Sequence, residues 1–182
     1  MNTLLDIITD HSLRLIDKYA EFKIDGIFIC DDFGLQNSLM ISPATFREFF
    51  KPRYKKMIDR AHQHGMKFIL HSCGHIVDII DDFIEIGLDC MQLDQLDIMG
   101  LDLLGERFGG RICFFNCVDI QSVMPRNDHK EIYEYGCRMV EAFASEKGGF
   151  IGKIYPQLQD IDVTVESAIV SLDAFLGKAP SY

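Results

Sequence analysis

Five short apolar runs, 26–30, 67–71, 90–93, 111–116 and 150–154, recur along this chain of 182 residues, separated by longer segments with helical spacing. Continuous apolar runs of this length read as strands buried on both faces, as parallel strands are. Glycine precedes or opens most of them, at Gly26, Gly65, Gly87, Gly109-Gly110 and Gly148-Gly149. The repeated order is therefore helix, glycine turn, strand. That alternation predicts an α/β fold whose strands are parallel, neighbouring in chain order and joined by right-handed crossovers. Five such units are too few to close an eight-stranded barrel, so an open sheet and part of a barrel both satisfy the pattern. No Gly-rich phosphate loop follows the first strand, which leaves a dinucleotide-binding sheet without support. No linker interrupts the chain, and one domain over 1–182 is expected.

The helical segments carry their own signals. Over 3–22, Leu4, Leu5, Ile8, Leu15, Ile16 and Tyr19 fall near one face. Ser42-Pro43 combines a good N-cap with proline at the first helical position. Pro52 predicts a break or kink near Lys51, because proline removes a donor and disfavours helix at the residue before it. Further helices are expected up to His64 and over 76–86, 100–108, 130–145 and 163–175. His62 and His64 lie near a helix C-terminus, where the helix dipole is the simplest account of them. The acids Asp78, Asp81, Asp82 and Glu85 read as a solvated helix face.

Charge and cysteine content exclude several classes. With 28 acids against 18 bases, the chain lacks the basic excess that nucleic acid or an anionic membrane surface requires. No apolar run approaches the roughly 20 residues of a membrane span. Residues 1–10 have no basic region before their apolar residues, so a secretory signal is not expected. The six cysteines are then expected as reduced thiols in a cytoplasmic protein, most of them acting as small hydrophobes.

Polar and reactive residues gather where the strands end: Asp31-Asp32, His71-Ser72-Cys73, Asp94-Gln95 and Cys117-Val118-Asp119. In parallel α/β folds that edge carries the chemistry. Positions i and i+2 of a strand face the same side, so His71 and Cys73 can address one metal ion. The alternative is a hydrogen-bonded strand-end histidine and a packed thiol. A catalytic zinc site uses three protein ligands and one open position. Cys117 is the first candidate for the third ligand, with Asp94 and Asp32 as oxygen alternatives. Asp32 and Asp119 are candidate catalytic groups that bind substrate or accept a proton, against ordinary turn capping. Asp119 and Gln121 fit a loop that orients a carboxylate- or amide-rich ligand, against ordinary turn chemistry, and Asp94 and Gln121 are candidate cofactor-binding residues.

Several segments together resemble a known family. They are Asp25-Gly26-Ile27-Phe28-Ile29-Cys30-Asp31-Asp32-Phe33-Gly34, Lys51-Pro52-Arg53-Tyr54 with His64-Gly65, His71-Ser72-Cys73-Gly74-His75, and Asn116-Cys117-Val118-Asp119-Ile120-Gln121 with Met124-Pro125. In order and spacing they are similar to the C-terminal part of the uroporphyrinogen decarboxylase superfamily. The resemblance implies a partial (β/α)8 barrel of about five parallel strands with outer helices. It implies one of two activities. One is decarboxylation of a tetrapyrrole without metal, in porphyrin biosynthesis. The other, which the His71 and Cys73 pair favours, is zinc-dependent methyl transfer from a corrinoid to a thiol. The methyltransferases hold zinc through a His-x-Cys pair and a distant cysteine in a glycine-rich loop after the last strand. Here that stretch is Lys153-Ile154-Tyr155-Pro156-Gln157-Leu158, with neither Cys nor His. A corrinoid protein is the implied partner. Since the family's chains are about twice as long, the alternatives include a non-catalytic barrel fragment, and self-association through an open barrel edge is expected.

Overall fold

The computed structural model describes residues 1–180. Helix α1 (Asn2–Ala20) is followed by β1 (Gly26–Cys30), the short α2 (Pro43–Thr45), α3 (Lys51–Gln63), β2 (Lys67–His71), α4 (Val77–Glu85) and β3 (Cys90–Gln92). Helix α5 (Leu101–Phe108), β4 (Cys113–Asn116), α6 (His129–Phe143), β5 (Phe150–Gly152) and α7 (Val165–Phe175) complete the order. The fold is α/β: the five strands form one sheet in chain order, with helices between them, the arrangement of part of a (β/α)8 barrel. Every strand expected from the apolar runs is present, three of them trimmed at an end. The chain divides into two compact units, Met1–Met91 and Gln92–Tyr182.

In the first unit, β1 and β2 pair in parallel with Gly26 opposite Lys67 and Cys30 opposite His71. Lys67 donates its backbone N–H to Asp25 O and Asp31 donates to His71 O. Odd-numbered residues of β1 therefore bond to β2, and Phe28 directs its N–H and C=O away from β2. Behind the pair sits an aromatic cluster of Phe33, Phe46, Phe50, Tyr54 and Phe83, with ring centroids 5.0–6.4 Å apart. Phe33 belongs to the loop after β1, so burying its ring pins that loop against α3 and α4.

Three expectations need correction. Ser42 does cap α2, its hydroxyl accepting from Thr45 N–H at 3.1 Å, but the break expected at Lys51 is a π turn over Phe46–Phe50. Lys51 N–H reaches back to Phe46 O, which lets the helix continue into Pro52 without the missing donor interrupting it. Asp82 is not solvated: it is 4% exposed and holds Arg47 and Lys51, and Lys51 also reaches Glu85. His62 and His64 bond carboxylates, Asp89 at 2.7 Å and Asp17 at 2.8 Å, in place of a helix end alone. Nor is the apolar face of α1 covered. Only Thr9 and Ile16 are buried, while Leu4 is exposed and Ile8, Leu15 and Tyr19 line an open groove of about 520 Å³ beside β1 and α3.

In the second unit, β4 and β5 pair in parallel, Phe114 opposite Phe150. Phe114 stacks on Phe143 of α6 at 4.3 Å, and Phe150 meets Phe175 of α7 edge-on at 5.3 Å. Asp128 and Thr164 cap α6 and α7 by accepting from Glu131 and Ser167 N–H, which is why both helices begin at those points.

Candidate metal centre at the strand ends

The loops after β1 and β2 are knitted together by backbone bonds. Gly34 N–H donates to Cys73 O at 3.1 Å and His75 N–H to Leu35 O at 2.7 Å. The buried Ser72 hydroxyl accepts from Phe33 N–H at 3.0 Å. The two chains cross so closely that glycine is required on both sides. A Cβ on Gly34 would lie 2.4 Å from Gly74 C, and one on Gly74 would lie 2.2 Å from Gly34 C. Gly74 also has φ of +81°, in the left-handed region.

This crossing brings Asp32 to His71 and Cys73. Cys73 Sγ lies 3.3 Å from His71 Nε2. Asp32 Oδ1 lies 3.5 Å from that same nitrogen and accepts Cys73 N–H at 2.8 Å. One ligand atom from each of the three lies within 4.8 Å of the others, with His71 and Cys73 half-buried and Asp32 exposed. A nucleophilic relay would place thiol and carboxylate on opposite ring nitrogens. Here both face Nε2, so the donors converge on one point. Ligands at zinc-like bond lengths in tetrahedral array stand about 3.3–3.7 Å apart, which matches these separations. The nitrogen, sulfur and oxygen set fits zinc.

Next to this group, Asp31 accepts a short hydrogen bond from Tyr54 of α3. Burial, then the Asp31 charge, pushes the Tyr54 hydroxyl above its ordinary range, so it remains a donor. The Lys51-Pro52-Arg53-Tyr54 segment is thereby explained: Lys51 binds Asp82, Arg53 binds Asp6, and Tyr54 fixes the end of β1.

The remaining candidates lie in the second unit. Asp94, just after β3 and 6% exposed, accepts at one oxygen, Oδ1, from Gln92 Nε2 (2.6 Å) and Cys117 Sγ (3.2 Å), and the same oxygen is ion-paired with Lys153 Nζ at 2.8 Å. Burial, with the Asp94 charge, pushes the Cys117 thiol well up, and Lys153 opposes this. Asp119 is fully buried, and both of its oxygens close the loop after β4. Oδ2 accepts Asp97 N–H at 2.9 Å, while Oδ1 accepts Gln121 N–H at 2.9 Å, Ser122 N–H at 2.8 Å and the Ser122 hydroxyl at 2.9 Å. The Gln121 side chain is exposed. Sequence reasoning missed Lys153. Its one local signal is a lysine directly after an apolar strand.

The fold is that of part of an α/β barrel, with polar side chains gathered at the C-terminal ends of its strands, the edge where such folds carry their sites. The sequence matches the family profile of uroporphyrinogen decarboxylase (URO-D) over residues 1–153, and the chain belongs to that family. No curated protein matches it. Among solved structures, a methyltransferase from Methanosarcina mazei is similar with a TM-score of 0.68 and 21% identity, over 95% of this chain and 48% of that one. The chain thus spans about half the length of that methyltransferase. An N-acetylneuraminic acid (sialic acid) synthetase from Leptospira borgpetersenii serovar Hardjo-bovis aligns over 91% of this chain and 77% of its own, with 14% identity and a TM-score of 0.42.

Proposed function

We propose that this protein is a zinc-dependent methyltransferase of the URO-D family, which moves a methyl group from a corrinoid on a partner protein to a small-molecule thiol. The observation that carries the reading is the convergence of Asp32 Oδ1 and Cys73 Sγ on one nitrogen of His71. The fold shared with a methyltransferase supports it. Zinc bound there would hold a thiol as its thiolate and lower its pKa. The chain's own part is to present the donors. His71 offers Nε2 in the neutral form and Cys73 its thiolate. Asp32 adds an oxygen while its bond to Cys73 N–H fixes the loop. In this reading Asp32 is the third ligand, and Cys117 remains the donor of the thiol bond to Asp94. Asp119 closes the loop that carries Gln121 in the second unit, where it keeps that loop in shape. Among residues 1–180 no helix is long and apolar enough to cross a membrane, and we place the protein in the cytoplasm.

Zinc content and cobalt(II) spectra test this. Reduced, chelator-free protein should hold about one zinc, lost in His71→Ala and Cys73→Ala. Asp32→Ala should weaken affinity by at least the roughly 10–100-fold that losing an outer-shell partner costs. Cys117→Ala should keep the metal and the thiolate-to-cobalt band. No metal binding, or binding indifferent to Cys73→Ala, overturns the proposal. Retention by Asp32→Ala with loss in Cys117→Ala would make Cys117 the third ligand. The second reading, tetrapyrrole decarboxylation, rests on the family profile. Porphyrinogen turnover by metal-free protein would establish it.

A further inference from the structure

Lys153 and Asp94 form a buried ion pair that the metal reading leaves unused. Their side chains are 15% and 8% exposed, and the pair lies at the ends of strands β3 and β5, where parallel α/β folds receive ligands. Taking two charges out of water costs several kcal/mol per ion. No neighbouring network saturates this pair. Among the described residues, Lys153 Nζ has one polar side-chain partner, the Asp94 Oδ1 it pairs with at 2.8 Å, although an ammonium carries three donors. The Phe115 and Tyr155 rings stand 5.8 and 5.9 Å from it and accept no ordinary hydrogen bond. Asp94 Oδ1 takes two hydrogen bonds and the Lys153 ammonium, while Oδ2 takes none among the described residues. A cation with spare donors thus stands beside a carboxylate with a spare acceptor.

We propose that the Asp94–Lys153 pair is a subsite for a zwitterion, a small molecule with a primary ammonium and a carboxylate on neighbouring carbons, the α-amino-acid class. The charge balance selects this ligand. A lone carboxylate reaching Lys153 would leave a net negative charge beside Asp94, and a lone amine reaching Asp94 would leave a net positive charge beside Lys153. A zwitterion satisfies both, its carboxylate on Lys153 and its ammonium on Asp94 Oδ2, and keeps the buried cluster neutral.

The test uses the full chain stripped of metal, so that it stands apart from the zinc reading. L-2-Aminobutyrate, butyrate and butylamine are titrated by calorimetry at neutral pH. L-2-Aminobutyrate should bind saturably, about tenfold or more tighter than either single-charge analogue, the scale of one hydrogen bond to a charged group. Lys153→Met and Asp94→Asn should each remove that preference, and Lys153→Arg should restore part of it. Equal binding of all three probes, a preference for butyrate alone, or no binding of L-2-aminobutyrate overturns the proposal. The comparison of probes on unaltered protein keeps it testable if the variants misfold. Loss of zinc in Cys73→Ala, or its absence, bears on the other reading only.

Discussion

Three glycine-to-alanine substitutions separate the forces that hold the strand-end loops. Gly65 has φ of +75° with nothing within 4 Å of its added Cβ, so Gly65→Ala reports the left-handed penalty alone, about 1–2 kcal/mol. Gly34 has no positive φ, but its Cβ would stand 2.4 Å from Gly74 C and His75 N, so Gly34→Ala reports the clash alone. Backbone cannot rotate away as a side-chain tip can, and overpacking costs roughly 1–3 kcal/mol. Gly74→Ala combines φ of +81° with a contact of 2.2 Å, and the sum is about 2–5 kcal/mol. Against a total stability of about 5–15 kcal/mol, all three variants should fold. Urea unfolding monitored by circular dichroism gives the three differences. The order expected is Gly65→Ala least, Gly34→Ala intermediate and Gly74→Ala greatest, with Gly34→Ala and Gly74→Ala together costing less than their sum because they press on one contact. Zinc retention should fall for Gly34→Ala and Gly74→Ala, whose clash parts Asp32 from His71 and Cys73, and stay unchanged for Gly65→Ala. A Gly74→Ala protein no less stable than Gly65→Ala would refute the close crossing of the two loops.

Other perturbations test other parts of the structure. Tyr54→Phe removes the buried donor to Asp31 and should cost about 1–3 kcal/mol in urea unfolding, since the acceptor is charged; an unchanged midpoint would show the bond to be immaterial. Burial alone would raise the Asp82 carboxyl, but the Arg47 and Lys51 bonds outweigh it and hold it below its ordinary 3.8. The stability it contributes is therefore full above that value and lost as pH falls through the lower folded one. Acid titrations of unfolding should show a shallower loss for Asp82→Asn, and identical slopes would contradict the pairing. Phe28 is 50% exposed and turns its backbone groups away from β2, so we expect concentration-dependent self-association in sedimentation, reduced by Phe28→Lys. A monomer at all concentrations would count against that edge.

Much of the architecture was legible because its signals are local. Apolar runs set the five strands, Ser42 announced α2, and glycines marked the turns. Spacing allowed His71 and Cys73 to share a side and the family resemblance favoured the pair; β2 ends at His71, and Cys73 stands 3.3 Å from it out of the loop that follows. The fates of Asp82, His62 and His64 were not legible, since a charge pattern along one helix does not say which helix covers it. Asp82 reads as solvent-facing until Arg47 of the π turn and Lys51 of α3 are laid across it. The exposed apolar face of α1 escaped for the same reason: periodicity shows that a face exists and leaves open what lies against it.

The sequence by itself determined the class of fold, the strand ends and the His71–Cys73 pair, all of which depend on contacts within a few residues. Only the tertiary structure decided that Asp32, 41 residues before Cys73, is the donor that joins them. The register of β1 on β2 and the passage of Gly34 across Gly74 fix that distance. In the same way it set Lys153 on Asp94, where a lysine in the stretch that lacks the expected ligand becomes a half-buried cation. The first meeting is made by neighbouring strands and the second by strands with β4 between them, and no local preference encodes the length of chain that separates the partners.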